Sequence, residues 1–313
     1  MALVYHSSLG HHVRDEPVLQ HGRSSYALAQ DALERGDFTR AADYGAITVQ
    51  EATEAYELYT TWLAQIPDIL ADNGIAAGID VGIETLGAGW ACYRRLVDDF
   101  VAACAAADAA TAGALLERAR SSWQHSHDRA TDTLCALLGL AAADLGEAAI
   151  GALWDTLLAP IYERSARIYH PDAMPWGDAV QRLLLDIFEA TRGHLTGPRR
   201  DGGFSIVEEE TRWVITFAPC GSGGRTYEGP RPAVTTEQHD WAWNTTGVCL
   251  YCAHCCQLQQ RAPIARLGFP LRVIDPPTTA QPRPVCTWSI YKDRTYVPDE
   301  AYTRVGFPAP DGR

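Results

Sequence analysis

The stretch Gly193-His-Leu-Thr-Gly-Pro-Arg-Arg-Asp-Gly-Gly203 decides the fold class, because two different periodicities meet there. Upstream, apolar residues recur at helical spacing. Downstream, Phe204-Ser-Ile-Val-Glu208 and Arg212-Trp-Val-Ile-Thr-Phe217 read as strands joined by a tight turn about 209–211. The turn formers between them end the last helix. Further strands are expected at Val273–Asp275 and Val285–Tyr291, with helical character from Cys249 to Leu267. The whole therefore reads as α+β: an all-α irregular bundle followed by a small cysteine-rich α+β module with an antiparallel sheet.

Working back from the break, the pattern predicts helices over 25–34, 38–66, 75–86, 90–107, 110–140, 147–169 and 177–192. Arg35-Gly36-Asp37 stops the first and supplies a cap for the second. Residues 1–22 hold His6, His11, His12 and His21 without hydrophobic periodicity and read as an extended arm; the adjacent His11 and His12 are a weak metal pair. The expected organisation is an arm (1–22), a helical domain (23–195) and a cysteine-rich, metal-binding domain (203–313).

The chain has 313 residues, a formal net charge of −13 and a sequence pI near 5.2. Such an acidic surface repels nucleic-acid phosphates and anionic membranes, so neither is an expected partner. The alanine-rich stretches 101–116 and 133–154 are interrupted by Asp108, Asp144 and Glu147, which suits soluble helices. The start, Met1-Ala-Leu-Val-Tyr5-His6, lacks the features of a secretory signal, and a cytoplasmic location is expected. The apolar helix faces suit either a homo-oligomer contact or the module beside them.

Six of the nine cysteines lie between residues 220 and 286: Cys220, then Cys249-Leu-Tyr-Cys252-Ala-His-Cys255-Cys256, then Cys286. Thiolates at Cys-x2-Cys-x2-Cys spacing can converge on one metal or cluster. The competing reading is reduced core thiols, since free cysteine is among the most buried residue types. If 249–260 is a helix, Cys249, Cys252 and Cys256 share a face; in a wrapping loop the triplet is Cys249, Cys252 and Cys255. Mononuclear zinc or iron held by Cys220, Cys249, Cys252 and Cys286 is favoured over an iron–sulfur cluster using Cys255, because the ferredoxin run with its following proline is absent.

Two flanking features bear on the chemistry. Cys220-Gly221-Ser222-Gly223-Gly224-Arg225 follows a strand, and its backbone N–H groups with Arg225 could hold a carboxylate beside the metal. The plainer account is a loop whose glycines supply positive φ. His239-Asp240-Trp241 leads into the cysteine run; His239, Asp240 and His254 are the candidate proton-transfer residues, against ordinary surface or core roles. His125, Asp128 and Asp132 are polar on an otherwise apolar helix, either a solvated stripe or a face reaching the cysteine module.

The order Phe217-Ala-Pro-Cys220, the Cys249–Cys256 segment and the strand around Cys286-Thr-Trp288 resembles L-2-amino-thiazoline-4-carboxylate hydrolase-like proteins. The resemblance covers about the last third of the chain and lies in layout. Cys252, Cys255, Cys256 and the glycine turn depart from that pattern. What it implies is a helical N-terminal part, a compact α+β part and a hydrolase activity. The expectation is thus a cysteine-ligated metalloenzyme of hydrolase or lyase type acting on a small anionic molecule. The alternatives are an iron–sulfur redox or sensing protein, and a structural zinc module beside a partner-binding helical domain.

Overall fold

A computed structural model describes residues 3–310 apart from Ser8, Ala77, Pro171, Ala173 and residues 230–232. The chain is α+β and 58% helical. Met1 and Ala2, part of the stretch read for a secretory signal, lie outside the described residues.

The expected arm is instead a β-hairpin. Strands β1 (Leu3–His6) and β2 (His11–Arg14) pair antiparallel, with Tyr5 opposite His12 and His6 opposite His11. Successive strand residues face opposite sides, so His11 and His12 part company: His11 meets Glu189, while His12 lies edge-on to Tyr5. They do not form a metal pair.

Six helices follow: α1 (Ser25–Glu34), α2 (Phe38–Asp72), α3 (Ile83–Ala105), α4 (Ala109–Leu145), α5 (Ala149–Ile168) and α6 (Trp176–Gly193). Local chemistry sets their starts. Ser24, Asp37 and Asp108 each accept a backbone N–H from the first turn of α1, α2 and α4, which satisfies donors the helix cannot. The helix expected over 75–86 is mostly loop. Gly74, Gly78 and Gly82 take positive φ and the Asp80 carboxylate accepts the Gly82 N–H, so α3 begins only at Ile83.

The break at 193–203 is a tight turn on which the molecule is hinged together. At the crossing of α6 with α2, a Cβ on Gly193 would lie 1.9 Å from the Glu51 carbonyl oxygen, so only glycine permits the approach. Beside it Arg192 and Glu51, both buried, form an ion pair of 2.5 Å, and Ser25 donates to the same carboxylate at 2.6 Å.

Strands β3 (Ser205–Glu208), β4 (Arg212–Phe217), β5 (Val273–Asp275) and β6 (Cys286–Tyr291) make one antiparallel sheet in the order β3-β4-β6-β5. Ile215 stands opposite Trp288 and Phe217 opposite Cys286, which puts these four on one face. Between β4 and β5 runs an interrupted helix: α7 (Ala253–Cys256), a wide π turn over 257–261, and α8 (Ala262–Leu267). A short α9 (Glu300–Thr303) closes the chain.

The division expected near residue 200 separates kinds of secondary structure but not cores. One buried cluster joins Tyr59, Trp62 and Trp154 of the helical part to Cys249, Tyr251, Cys256 and Ile290 of the module. Trp154 donates its indole N–H to the Leu250 carbonyl at 2.9 Å across that junction. Among the described residues no helix is long and apolar enough to cross a membrane.

Candidate functional site

A cavity of about 120 Å³ opens between α2, α5, α6, the glycine turn, α7 and the sheet. Its polar lining includes Glu54, Arg164, Asp186, His194, Cys220, Ser222, His254, Cys255 and Arg272, and Trp62, Phe217 and Trp288 wall it. Of the residues selected from sequence, Cys220, Ser222, His254 and Cys255 are brought together here.

His254 and Cys255 sit in the single turn of α7. The His254 Nδ1–H donates to the Tyr251 carbonyl at 2.6 Å, which leaves Nε2 unprotonated and 3.3 Å from Cys255 Sγ. The ring is wedged against Trp62, Trp154 and Tyr251 at centroid distances of 5.5, 5.3 and 4.7 Å. Burial pulls the imidazole down to about 4 and pushes the Cys255 thiol up. At neutral pH the pair is a thiol beside a neutral imidazole.

Cys220 reaches the cavity from the end of β4. The Gly224 N–H points to its sulfur at 3.4 Å, and Ser222 Oγ lies 3.6 Å away. The group held at this turn is thus the cysteine's own sulfur. None of Gly221, Gly223 and Gly224 takes positive φ; close approach is what requires glycine here. A Cβ on Gly221 would lie 1.7 Å from the His194 carbonyl oxygen, and one on Gly223 would lie 2.3 Å from Cys252 Sγ. Arg225, expected to hold a substrate carboxylate, holds protein carboxylates instead: Asp132 and Asp128 of α4. Asp128 and Asp132 therefore face the cysteine module, whereas His125 is exposed beside the start of α3.

Arg272 was not selected from sequence, yet it is the buried cation of the cavity. It is 7% exposed. It donates to Gln259 and to the Leu183 carbonyl and lies 5.5 Å from the Trp288 ring centroid. Its Nε is buried without a hydrogen-bond partner, and no carboxylate pairs with it among the described residues. Burial lowers its affinity for the proton, while Tyr169, Asp186, Glu54 and Cys255 act the other way. The carboxylates of Asp186 and Glu54 line the same cavity and act on Arg272 without a direct ion pair.

The other selected residues lie elsewhere. His239 pairs with Glu147 at 2.9 Å and stacks on Trp241; Asp240 pairs with Arg261 at 2.5 Å. Neither lines the cavity. Cys256 turns away, donating to the Asp240 carbonyl at 3.5 Å, and Cys286 receives the Trp288 indole N–H at 3.1 Å. Cys249 and Cys252 lie behind the glycine turn, where Cys249 accepts from the Thr226 hydroxyl at 3.6 Å and neighbours Cys252 and Cys135 of α4. Cys220 lies near both Cys252 and Cys286. Among the described residues no group of three or more His, Cys, Asp or Glu side chains is arranged to hold a metal ion.

A buried polar chain also escaped the sequence reading. Tyr59 of α2 places its hydroxyl 3.0 Å from His127 Nε2 and 3.1 Å from His194 Nδ1, and those two nitrogens are 3.1 Å apart. His127 Nδ1 lies 3.0 Å from Asp128, which Arg200 grips at 2.6 and 3.1 Å. The one signal was the occurrence of His127 and His194 in polar stretches bordering the module.

No family model, curated relative or solved structure matches the chain.

Proposed function

We propose that the cavity is the active site of an enzyme that hydrolyses a small anionic organic molecule, with Cys255 as nucleophile, His254 as its base and Arg272 as anchor for the anion. The observation that carries the reading is the 3.3 Å approach of Cys255 Sγ to an imidazole nitrogen that the Tyr251 carbonyl leaves unprotonated. A nucleophile beside a base that a third group orients is the general arrangement for covalent catalysis. Arg272, buried and lacking a carboxylate partner, lines the same space.

In this reading Cys255 sulfur bonds to an electrophilic carbon of the substrate and its proton passes to His254 Nε2. That proton then leaves with the departing group, and water cleaves the acyl-type sulfur link to restore the thiol. Cys220 lines the same cavity. Zinc or iron at the cysteines is no step of this scheme.

The test uses two alkylating agents of similar size and opposite character. Iodoacetate carries the carboxylate that Arg272 should attract; iodoacetamide is neutral. Peptide mapping of the full-length protein should show Cys255 modified faster by iodoacetate, with small carboxylates protecting it. Arg272→Gln should reverse that preference, and Arg272→Lys should keep part of it. Faster reaction with iodoacetamide in the native protein would overturn the anion assignment. A Cys255→Ala variant that retains full hydrolysis of a carboxylate ester or amide would overturn the nucleophile.

A further inference from the structure

Resting on the reading of the cavity as an active site, we propose that Asp128 and His127 act as positioning residues, holding His194 in the tautomer whose Nε2 lone pair faces the cavity as a second proton acceptor. The argument is an accounting of hydrogens along the buried chain. Asp128 stands 2.6 and 3.1 Å from two nitrogens of Arg200 and 3.4 Å from Arg225. Burial alone would raise its pKa, but the hydrogen bonds from His127 and Arg200 outweigh that and hold the carboxyl well below the usual range. It is therefore an acceptor only, and His127 Nδ1, 3.0 Å away, carries the hydrogen between them.

Burial keeps His127 neutral. Its Nε2 is then a lone pair, and it faces His194 Nδ1 at 3.1 Å. Two lone pairs would repel at that distance. Tyr59 is 3.0 Å from one and 3.1 Å from the other but has a single proton, which cannot satisfy both, and its oxygen accepts from Tyr251 at 3.2 Å. The arrangement closes when His194 Nδ1 also carries a hydrogen. His194, kept neutral by burial first and by His127, His254 and Arg200 after it, then has its remaining nitrogen unprotonated. That nitrogen has no hydrogen-bond partner among the described residues, and His194 lines the cavity with Cys220, His254 and Arg272.

The cavity thereby receives two imidazoles prepared in the same way. His254 is fixed locally, by a backbone carbonyl three residues away. His194 is fixed remotely, by a carboxylate two rings away on another helix. A second acceptor in the cavity is available to take a proton from the water that attacks the acyl-type link.

The experiment is a long-range proton–nitrogen correlation spectrum of the full-length protein, labelled with ¹⁵N at histidine, at neutral pH. Native His127 and His194 should both show Nδ1–H and unprotonated Nε2. In Asp128→Asn the single amide oxygen is drawn to Arg200 and the NH₂ turns to His127, so both rings should exchange their protonated and unprotonated nitrogens. Asp128→Glu should restore the native pattern. His194 protonated at Nε2 in the native protein overturns the proposal, as does a His194 unchanged in Asp128→Asn. Should Asp128→Asn fail to fold by thermal melting, the native spectrum alone decides. The readout needs no substrate. Native tautomers as stated, with no iodoacetate preference at Cys255, would defeat the anion assignment and leave the tautomer assignment standing; the converse result would do the opposite.

Discussion

Cys255 Sγ lies 3.3 Å from His254 Nε2, yet the two do not form a thiolate–imidazolium pair. The same burial that places them in the cavity raises the thiol and lowers the imidazole to about 4. Charge on either is favoured only when a substrate draws the proton across.

The first prediction follows from that. Alkylation of Cys255 by neutral iodoacetamide should rise about tenfold per pH unit from pH 6 to 8, because the reacting thiolate is a growing minor form. A flat profile across that range would mean a thiolate already formed. Rates are read by quantitative peptide mapping against pH.

Acid should unfold the protein early. His254 is pulled to about 4 by burial; His21 is pulled to about 3 by burial first, with Arg192 and Arg14 adding to it. In the unfolded chain both take up a proton near pH 6.5. The unfolded state binds more protons between pH 6.5 and the folded values, so stability present above pH 6.5 is lost as pH falls through that window. Urea midpoints at pH 7, 5.5 and 4.5 measure it. A His21→Gln variant should show the shallower dependence.

The buried pair Glu51 and Arg192 should punish removal of one partner far more than of both. Glu51→Ala leaves Arg192, 2% exposed, without its carboxylate, at an expected cost of about 3–5 kcal/mol. Glu51→Leu with Arg192→Met should recover much of that. A double-mutant cycle on denaturant unfolding tests it.

Two glycines of α6 should behave oppositely. A Cβ on Gly193 meets the Glu51 carbonyl oxygen at 1.9 Å, whereas one on Gly177 meets nothing within 4 Å. Gly193→Ala should cost about 1–3 kcal/mol or more, by forcing α6 off α2. Gly177→Ala should be neutral or stabilise by up to about 1 kcal/mol. Thermal melting of the two variants separates them.

Metal content of protein purified without air bears on the chemistry directly. The thiol reading expects activity to survive chelation and the cysteines to titrate as free thiols. Stoichiometric zinc or iron whose removal abolishes turnover would return the centre to the cysteines, and acid-labile sulfide with the iron would make it a cluster.

The sequence by itself determined most of the elements and their order from Ser24 onward, but not the hairpin formed by Leu3–His6 and His11–Arg14. Helix starts at Ser24, Asp37 and Asp108, the 209–211 turn and the alternation in Arg212–Phe217 are local signals, carried by capping oxygens and side-chain period. The same locality explains the error over 75–86, where apolar spacing suggested a helix that the positive-φ Gly78 and Gly82 interrupt. It also drew attention to the turn and the cysteine run that supply Cys220, Ser222, His254 and Cys255 to the cavity. Only the tertiary structure decided which of those residues meet. Cys255 faces the cavity while Cys256 turns to Asp240, a difference of one helical position that spacing cannot resolve. Arg225 is neutralised by Asp128 and Asp132, some ninety residues earlier, and Arg272, unremarkable in sequence, is left without a carboxylate. Pairing of charges, convergence of Tyr59, His127 and His194, and the glycine contacts at 193 and 221 all depend on contacts between distant segments. Such contacts exist only once the helices and the sheet have packed around one core.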